Sequence, residues 1–233
     1  MERISNSLSR GIFVLLVFGI MLMVVSGKMT ITSLMPENDF EDLMEKEAKE
    51  GMHIKGEVQY AFDCYAYEET WKENKDGSRT PAKTSHYYYA IPGEGDNFIG
   101  LEVAVDDKVD METLADETYE YLSGGEEPST KIMAEGRMTK MDEEMSGLFK
   151  EYLQEIGYTN EEISGMGEFY YIEQPASMQT ERLMFAGGIL LVVIAIVIFI
   201  IRFKKNKPVT EMETVQAEVP ETEELETEES ENL

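Results

Sequence analysis

The chain has 233 residues and a formal net charge of -27 at pH 7. Such an acidic chain is repelled by phosphate backbones, so the composition argues against nucleic acid as a partner. There is one cysteine, Cys64, so an intramolecular disulfide is excluded and any domain outside the cell must be stable without one.

The N-terminal segment combines a basic start with an apolar stretch. Residues 1–10 are mostly polar and contain two arginines, and residues 11–27 are apolar or small. Two interpretations are open: a signal peptide cleaved at Ser26-Gly27, or an uncleaved signal anchor. We favour the anchor, because no Ala-x-Ala site is present and apolar residues resume at Met29.

A second apolar run lies near the other end of the chain, in residues 184–201, and contains no charge. About 18 residues at a rise of 1.5 Å give roughly 27 Å of helix, enough to cross a hydrocarbon core. In lipid the run must satisfy its own backbone, so we predict a helix. Basic residues follow at once and predict a cytoplasmic stop: Arg202, Lys204, Lys205 and Lys207.

The cations beside the two runs predict a hairpin in the cell membrane, with both termini in the cytoplasm and the middle segment outside. Residues 27–183 contain 14 Lys and Arg against 36 Asp and Glu, a net charge of -22. The segment has no excess of basic residues that would retain it in the cytoplasm. The expected partners are the lipid bilayer and another membrane or envelope protein.

Small residues recur at helical spacing in both predicted spans. They are Gly11, Gly19 and Ser26 in the first span and Gly188 and Ala195 in the second. Such faces let backbones approach closely, so they could pack the spans together or against a partner. Neither span contains GxxxG, and glycine is common in membrane helices. A chance occurrence of this spacing is therefore an equally supported alternative.

Residues 28–51 lie between the first span and the outer domain, and we predict a stalk. Apolar side chains at Phe40, Leu43 and Met44 have helical spacing and predict a short amphipathic helix. The many acidic residues argue against contact with an anionic lipid surface. A solvated connector is the interpretation that the composition favours.

The predicted outer domain, residues 52–173, opens with the clearest strand pattern of the sequence. Residues 52–66 alternate with period two, which places Cys64 on the core face as a buried, unreactive thiol. Residues 84–91, rich in tyrosine, and residues 97–105 predict two further strands.

The periodicity then changes to that of helices. The predicted elements are a helix from Asp110 to Gly124, a strand over 130–140, a helix from Asp142 to Gly157, a helical turn at Thr159 or Asn160 and a strand over 169–172. The order β-β-β-α-β-α-β predicts an α+β domain, with a mostly antiparallel sheet and helices on one face. Residues 174–183 are the predicted link to the second span.

The C-terminal segment, residues 202–233, begins with the basic stop and continues as an acidic tail. Residues 208–233 contain ten Glu and no Lys, Arg or aromatic residue. Such a segment buries too little apolar surface to order itself, so we predict a solvated, disordered tail. Contact with a basic partner is the alternative.

Three segments of the predicted outer domain resemble a family of uncharacterised two-span membrane proteins of Gram-positive anaerobes, a domain family of unknown function. They are Tyr60-Ala61-Phe62-Asp63-Cys64-Tyr65-Ala66-Tyr67, Phe98-Ile99-Gly100-Leu101-Glu102-Val103 and Tyr152-Leu153-Gln154-Glu155-Ile156-Gly157. The resemblance implies the two-span topology and a host with a single cell membrane. It implies no activity and no catalytic residues.

No catalytic or metal-binding constellation is visible in the sequence. The two histidines, His53 and His86, lie far apart on predicted strands without a second His or Cys at ligand spacing, so we expect surface histidines. The carboxylates that could gather around Ca²⁺ lack the EF-hand spacing: Asp106, Asp107, Asp110 and Glu112. We therefore predict no catalytic residue, no metal and no cofactor.

Tyrosines are the remaining candidates for a binding surface. The predicted interaction residues are Tyr65, Tyr67, Tyr87, Tyr88 and Tyr89, from two strands that we expect to pair. Tyrosine suits recognition because it combines a rigid ring with a polar tip. Cross-strand packing beneath a helix is the alternative, and it has slightly more support.

Three functional hypotheses follow. The first is a binding or assembly module held outside the membrane, the second is an accessory subunit of a larger membrane complex, and the third is a membrane-tethered enzyme. A flat tyrosine patch would favour the first, copurifying membrane proteins the second, and an outer cleft with convergent polar groups the third.

Overall fold

Two long helices carry the apolar runs. The computed structural model describes residues 2–205, in which α1 spans Glu2–Thr32 and α6 spans Met178–Lys205. Each contains a stretch long and apolar enough to cross a membrane, Arg10–Thr32 and Met178–Lys204. Both helices continue past the predicted spans toward the folded domain: α1 runs through Gly27 to Thr32, and α6 begins at Met178, before the apolar run.

The domain between these helices is built on a seven-stranded mixed sheet of order β1-β2-β6-β7-β5-β4-β3. Its strands are β1 Glu37–Asn38, β2 His53–Val58, β3 Cys64–Thr70, β4 Lys83–Pro92, β5 Phe98–Ala104, β6 Ile132–Lys140 and β7 Tyr170–Glu173. The β1–β2 and β5–β7 pairs are parallel, and the other four pairs are antiparallel. The α+β class is confirmed, but the sheet is mixed, because β1 runs parallel to β2 and because β7, inserted between β5 and β6, runs parallel to β5.

The shorter helices are α2 Phe40–Glu45, α3 Lys108–Leu122, α4 Glu143–Glu155 and α5 Asn160–Gly165. Asp142 caps α4 as predicted, since its Oδ1 accepts a hydrogen bond from the Met145 amide at 2.8 Å. Asp110 does not cap α3 but lies in its first turn. A 3-10 turn at Val105–Asp107 leads directly into the helix and starts it earlier.

The prediction of one continuous strand over residues 52–66 is wrong. β2 pairs with β6, whereas β3 pairs with β4 at the far edge of the sheet, so residues 59–63 cross from one side to the other. Hydrogen bonds hold this crossing in place: for example, the Ala61 amide donates to Thr118 Oγ1 at 3.2 Å, and the Phe62 amide donates to the Ala90 carbonyl at 2.7 Å. Ala61 is consequently buried, although alternation placed it on the polar face.

Helices cover both faces of the sheet, which corrects the prediction of helices on one face. One core joins α2 and α3 to side chains such as Tyr89 and Ile91 of β4. A second core joins α4 and α5 to Ala90 of the same strand. Because successive residues of a strand point to opposite faces, the two cores lie on opposite sides of the sheet. We call these sides the α3 face and the α4 face.

The stretch predicted as a solvated stalk belongs in part to the domain. Its strand β1 pairs with β2, and α2 buries Phe40 and Leu43 in the core on the α3 face. Asp39 fixes the start of α2 through a capping box with Asp42. The solvated-connector interpretation is therefore wrong for residues 37–45, because the apolar side of this short helix has a sheet to cover.

Candidate functional site

An open groove of about 480 Å³ lies between α4 and the sheet. Its floor comes from four strands: Ala66, Tyr88, Thr139 and Tyr171. One wall is apolar and comes from α4, with Met145 and Leu148. Acidic side chains lie along the rim: Glu68, Asp142 and Glu144. The groove thus combines an aromatic floor, an apolar wall and an acidic rim.

A histidine between two carboxylates lies beside this groove on the same face of the sheet. His86 Nδ1 is 2.9 Å from Glu68 Oε2, and His86 Nε2 is 3.4 Å from Glu102 Oε1. Ser85 Oγ also donates to Glu68 Oε2, at 2.8 Å. We call Glu68, His86 and Glu102 the polar cluster. The strand register brings it together, since His86 pairs with Glu68 across β3–β4 and Glu102 pairs with Tyr88 across β4–β5.

Glu102 is the unusual member of the polar cluster, because its side chain is only 10% exposed. Burial raises the pKa of this carboxyl to about 7; nearby His86 opposes the rise, while Glu173 and Glu68 add to it. The pKa of Glu68 is lowered instead, by hydrogen bonds from His86 and Ser85. At neutral pH Glu68 is therefore ionised, whereas Glu102 is close to its pKa and populates both the protonated and the ionised form.

The side chains of the polar cluster can bind protons and can attract positively charged groups. Both ring nitrogens of His86 face carboxylates, and the nearest hydroxyl, Ser85, donates to Glu68 rather than to the imidazole. Ser85 is thus hydrogen-bonded to a carboxylate whose lowered pKa makes it a weak base, and not to the imidazole that would activate it better. Within residues 2–205, no group of three or more His, Cys, Asp or Glu side chains could hold a metal ion.

The five tyrosines predicted as one surface are divided between the two faces and are mostly packed. Tyr65 stacks edge-on against Phe149 with ring centroids 4.7 Å apart, and Tyr88 packs edge-on against Tyr171 at 5.9 Å. Tyr87 and Tyr89 belong to the core on the α3 face. Tyr67 alone of the five is largely exposed, at 62%.

The expectation of a shared exposed tyrosine face is therefore wrong, and the packing alternative describes the arrangement better. A bulge between Cys64 and Ala66 breaks the alternation in β3, so sequence parity does not give the faces of its tyrosines. Tyr67 and Tyr88 nevertheless meet again as lining of the groove.

Two smaller predictions are also wrong. Cys64 is exposed rather than buried, and its Sγ donates to the Ala66 carbonyl at 3.2 Å. His53 is fully buried rather than at the surface, with Nε2 3.0 Å from Glu135 Oε1. The assignment of Cys64 assumed that a single strand kept one phase from residue 52 to residue 66. His53 lies before the crossing, next to the buried Ile54, so its burial means that the second face of β2 is covered as well.

The small residues of the two long helices form much of the α1–α6 contact. A Cβ on Gly19 would lie 2.9 Å from the Gly188 carbonyl oxygen, so the backbones touch at this crossing. Ser26 and Ala195 are fully buried, and Ser26 Oγ donates to the Leu22 carbonyl at 2.6 Å. Gly11 is exposed, with nothing within 4 Å of the position that a Cβ would take.

The predicted basic stop lies at the end of α6. Arg202 borders a groove between α1 and α6, and Lys204 is exposed. Lys205 is the last residue of the helix. Lys207 and the acidic tail lie outside the described residues. At the other end of α6, Arg182 joins the helices by donating from Nε to Ser33 Oγ at 2.9 Å.

Sequence reasoning missed the polar cluster altogether. Alternation in β5 placed Leu101 and Val103 in the core and assigned Glu102 to solvent, although α4 and the neighbouring strands cover that face too. One signal was present: an acidic residue in the middle of an otherwise apolar strand of seven residues. Such a strand is typical of a sheet buried on both faces, where burial of an ionised carboxylate costs free energy.

A family model described as Domain of unknown function (DUF8577) matches residues 1–205. The match covers both long helices and the whole domain between them. No curated protein and no solved structure matches the chain. The resemblance to an uncharacterised family is thus confirmed.

Proposed function

We propose that this chain, which belongs to the family Domain of unknown function (DUF8577), is a two-pass protein of a Gram-positive anaerobe's cell membrane whose acidic domain binds an envelope or membrane partner. Both termini would be cytoplasmic and the domain would lie outside. The groove beside α4 is the observation that carries this proposal. Concave sites with apolar walls and a few convergent polar groups are the usual place for ligands.

The accessory-subunit hypothesis is the alternative, and it would use the outer surfaces of α1 and α6. The small residues that could have met a partner helix are mostly taken up by the contact between these two helices. The outward side chains are large and apolar, such as Phe13 and Val24. Such side chains suit lipid at least as well as protein, so this hypothesis has less support.

A membrane-tethered enzyme is the third hypothesis, because polar groups do converge beside an outer cleft. The polar cluster contains an acid of raised pKa, a feature found at catalytic sites and also in structural ion-pair networks. The neighbouring hydroxyl, Ser85, donates to Glu68, a carboxylate whose lowered pKa makes it a weak base. Binding therefore agrees better with the geometry than catalysis does.

Photo-crosslinking in the native membrane tests the proposed function. A photoreactive phenylalanine analogue would replace Tyr67 at the groove, Leu122 on α3 as a matched exposed control, or Val24 on the outward side of α1. We expect a discrete protein adduct from position 67 and none from position 122. Adducts from position 24 alone would favour the accessory subunit, and no adduct at any position would contradict both.

A further inference from the structure

The groove beside α4 has the features of a site for one particular chemical group. We propose that it binds the cationic side chain of a Lys or Arg residue presented by a partner polypeptide. This inference rests on the proposed function for the existence of a partner, and it adds the chemistry of what the groove recognises.

The rim supplies the charge that a cation requires. Glu68 is ionised, and Glu144 lies in the first turn of α4 on the opposite side of the opening. Lys140 is the basic residue of the lining, and it is paired with Glu168. The field within the groove is therefore negative, and low-dielectric walls concentrate such a field.

The floor supplies a second and independent feature. Tyr88 is only 7% exposed and lines the groove, yet no described residue makes a hydrogen bond to its hydroxyl. Burial raises the pKa of this hydroxyl above its ordinary value, so it stays protonated and retains acceptor lone pairs. The side chain is mostly covered while its hydroxyl borders the groove, where its lone pairs are available to the donors of a ligand.

The shape of the groove favours a long side chain on a polypeptide over a small inorganic cation. The rings of Tyr88 and Tyr171 on the floor can face a guanidinium or ammonium group, which aromatic rings attract. Met145 and Leu148 on the wall can pack against the aliphatic stem of such a side chain. A volume of about 480 Å³, open to solvent, leaves room for the chain that carries it.

Binding of a defined peptide to the full-length protein in neutral-lipid nanodiscs tests this inference. The probe is a fluorescent decapeptide of alternating Ser and Arg, followed by fluorescence polarisation at low and physiological salt. Its control has citrulline at every arginine position, which keeps the shape and removes the charge. We expect the arginine peptide to bind at least tenfold more tightly than the citrulline peptide.

Variants separate the groove from the general acidity of the domain. The double variant Glu68→Gln/Glu144→Gln should weaken binding at least tenfold. Its matched control, Asp116→Asn/Glu120→Gln on the exposed side of α3, removes the same charge from the other face and should change affinity less than twofold. Tyr88→Phe, which removes only a hydroxyl, should weaken binding severalfold. Thermal melts in the nanodisc would verify that each variant is folded.

Three results of the peptide experiment would overturn the inference: equal losses from the two double variants, equal binding of the citrulline peptide, or binding of spermine as tight as that of the peptide. The last result would mean a free polyamine rather than a polypeptide. A protein adduct at position 67 that persists in the Glu68→Gln/Glu144→Gln variant would contradict this inference while leaving the proposed function intact. Peptide binding in nanodiscs without any adduct in the native membrane would contradict the proposed function and leave intact the preference of the groove for a cationic side chain.

Discussion

At the scale of single residues, Glu102 is notable as a carboxyl that is almost fully buried. It lies in the middle of β5, between the buried Leu101 and Val103, with its carboxyl beside His86. A buried carboxylate is expensive unless it is paired, and this one is approached by the like charges of Glu68 and Glu173. The folded domain therefore favours the protonated carboxyl.

This raised pKa predicts how stability depends on pH. In the unfolded chain the carboxyl titrates near 4.5, and in the folded domain near 7. The stability that protonated Glu102 contributes is complete below the unfolded pKa and is lost as pH rises through the folded pKa. The loss should be roughly 3 kcal/mol between pH 4.5 and pH 8.

Glu102→Gln should remove this dependence, because the amide keeps the shape and carries no charge. We expect the variant to unfold at higher denaturant concentration than the native protein at pH 8, and at about the same concentration at pH 5. Denaturant unfolding at a series of pH values measures this. A variant that is less stable than the native protein at pH 8 would mean that His86 holds Glu102 ionised.

At the scale of secondary-structure elements, short segments far apart in sequence complete one another. α2 has six residues, too few for an isolated helix, yet it closes the core on the α3 face with Phe40 and Leu43. α1 and α6 approach closely because Gly19 and Gly188 have no side chains at their crossing. In both cases tertiary packing supplies the stability that the element lacks alone.

Truncation of Leu43 should show that α2 belongs to the domain. Leu43 is fully buried, so Leu43→Ala should lower the free energy of unfolding by about 2–5 kcal/mol. Glu45→Ala in the same helix is exposed and should change it by less than about 0.5 kcal/mol. Urea unfolding of a fragment of residues 36–176 measures both. Equal stability of the two variants would show that α2 is a detached stalk after all.

A pair of adjacent glycines in α6 tests the helix crossing. A side chain at Gly188 would meet the Gly19 carbonyl oxygen at 2.7 Å, whereas nothing lies within 4 Å of a Cβ on Gly187. Gly188→Leu should therefore push the helices apart at a cost of about 1–3 kcal/mol, and Gly187→Leu should not. Electron-spin distances between labels on Leu34 and Leu183 would report the separation. The same increase in both variants would place the crossing elsewhere.

At the scale of the whole molecule, an acidic domain sits on a pair of apolar helices that are joined to each other where they meet it. Arg182 of α6 donates from Nη2 to the Ser33 carbonyl at 3.1 Å, immediately after the end of α1. A cation there also balances the negative end of the helix dipole. This contact ties α1 and α6 together at the ends nearest the domain.

Thiol labelling on intact cells tests the proposed orientation. A cysteine at Ser129 should react with an impermeant reagent, and one at Thr222 should react only after lysis. The Cys64→Ser background is needed for this experiment, because the native thiol is exposed and would be labelled itself. Labelling at Thr222 but not at Ser129 would reverse the topology.

The sequence by itself determined the features that depend on local periodicity. Two apolar helices, the α+β class, the cap of α4 at Asp142 and the resemblance to an uncharacterised family could all be predicted, because each is encoded in neighbouring residues. The path of the chain between strands was decided only in the tertiary structure. The crossing at residues 59–63 inverted the expected exposure of Cys64 without altering the alternation before it, and His53 is buried because the second face of β2 is covered too.

The candidate site depends on the tertiary structure even more strongly. Glu68, His86 and Glu102 come from three strands, and they meet because the register of β3, β4 and β5 aligns them. The groove exists because α4 covers the face of the sheet that alternation had assigned to solvent. Periodicity indicates that a strand has two sides, but what covers each side depends on elements tens of residues away, and burial of Glu102 follows from that cover.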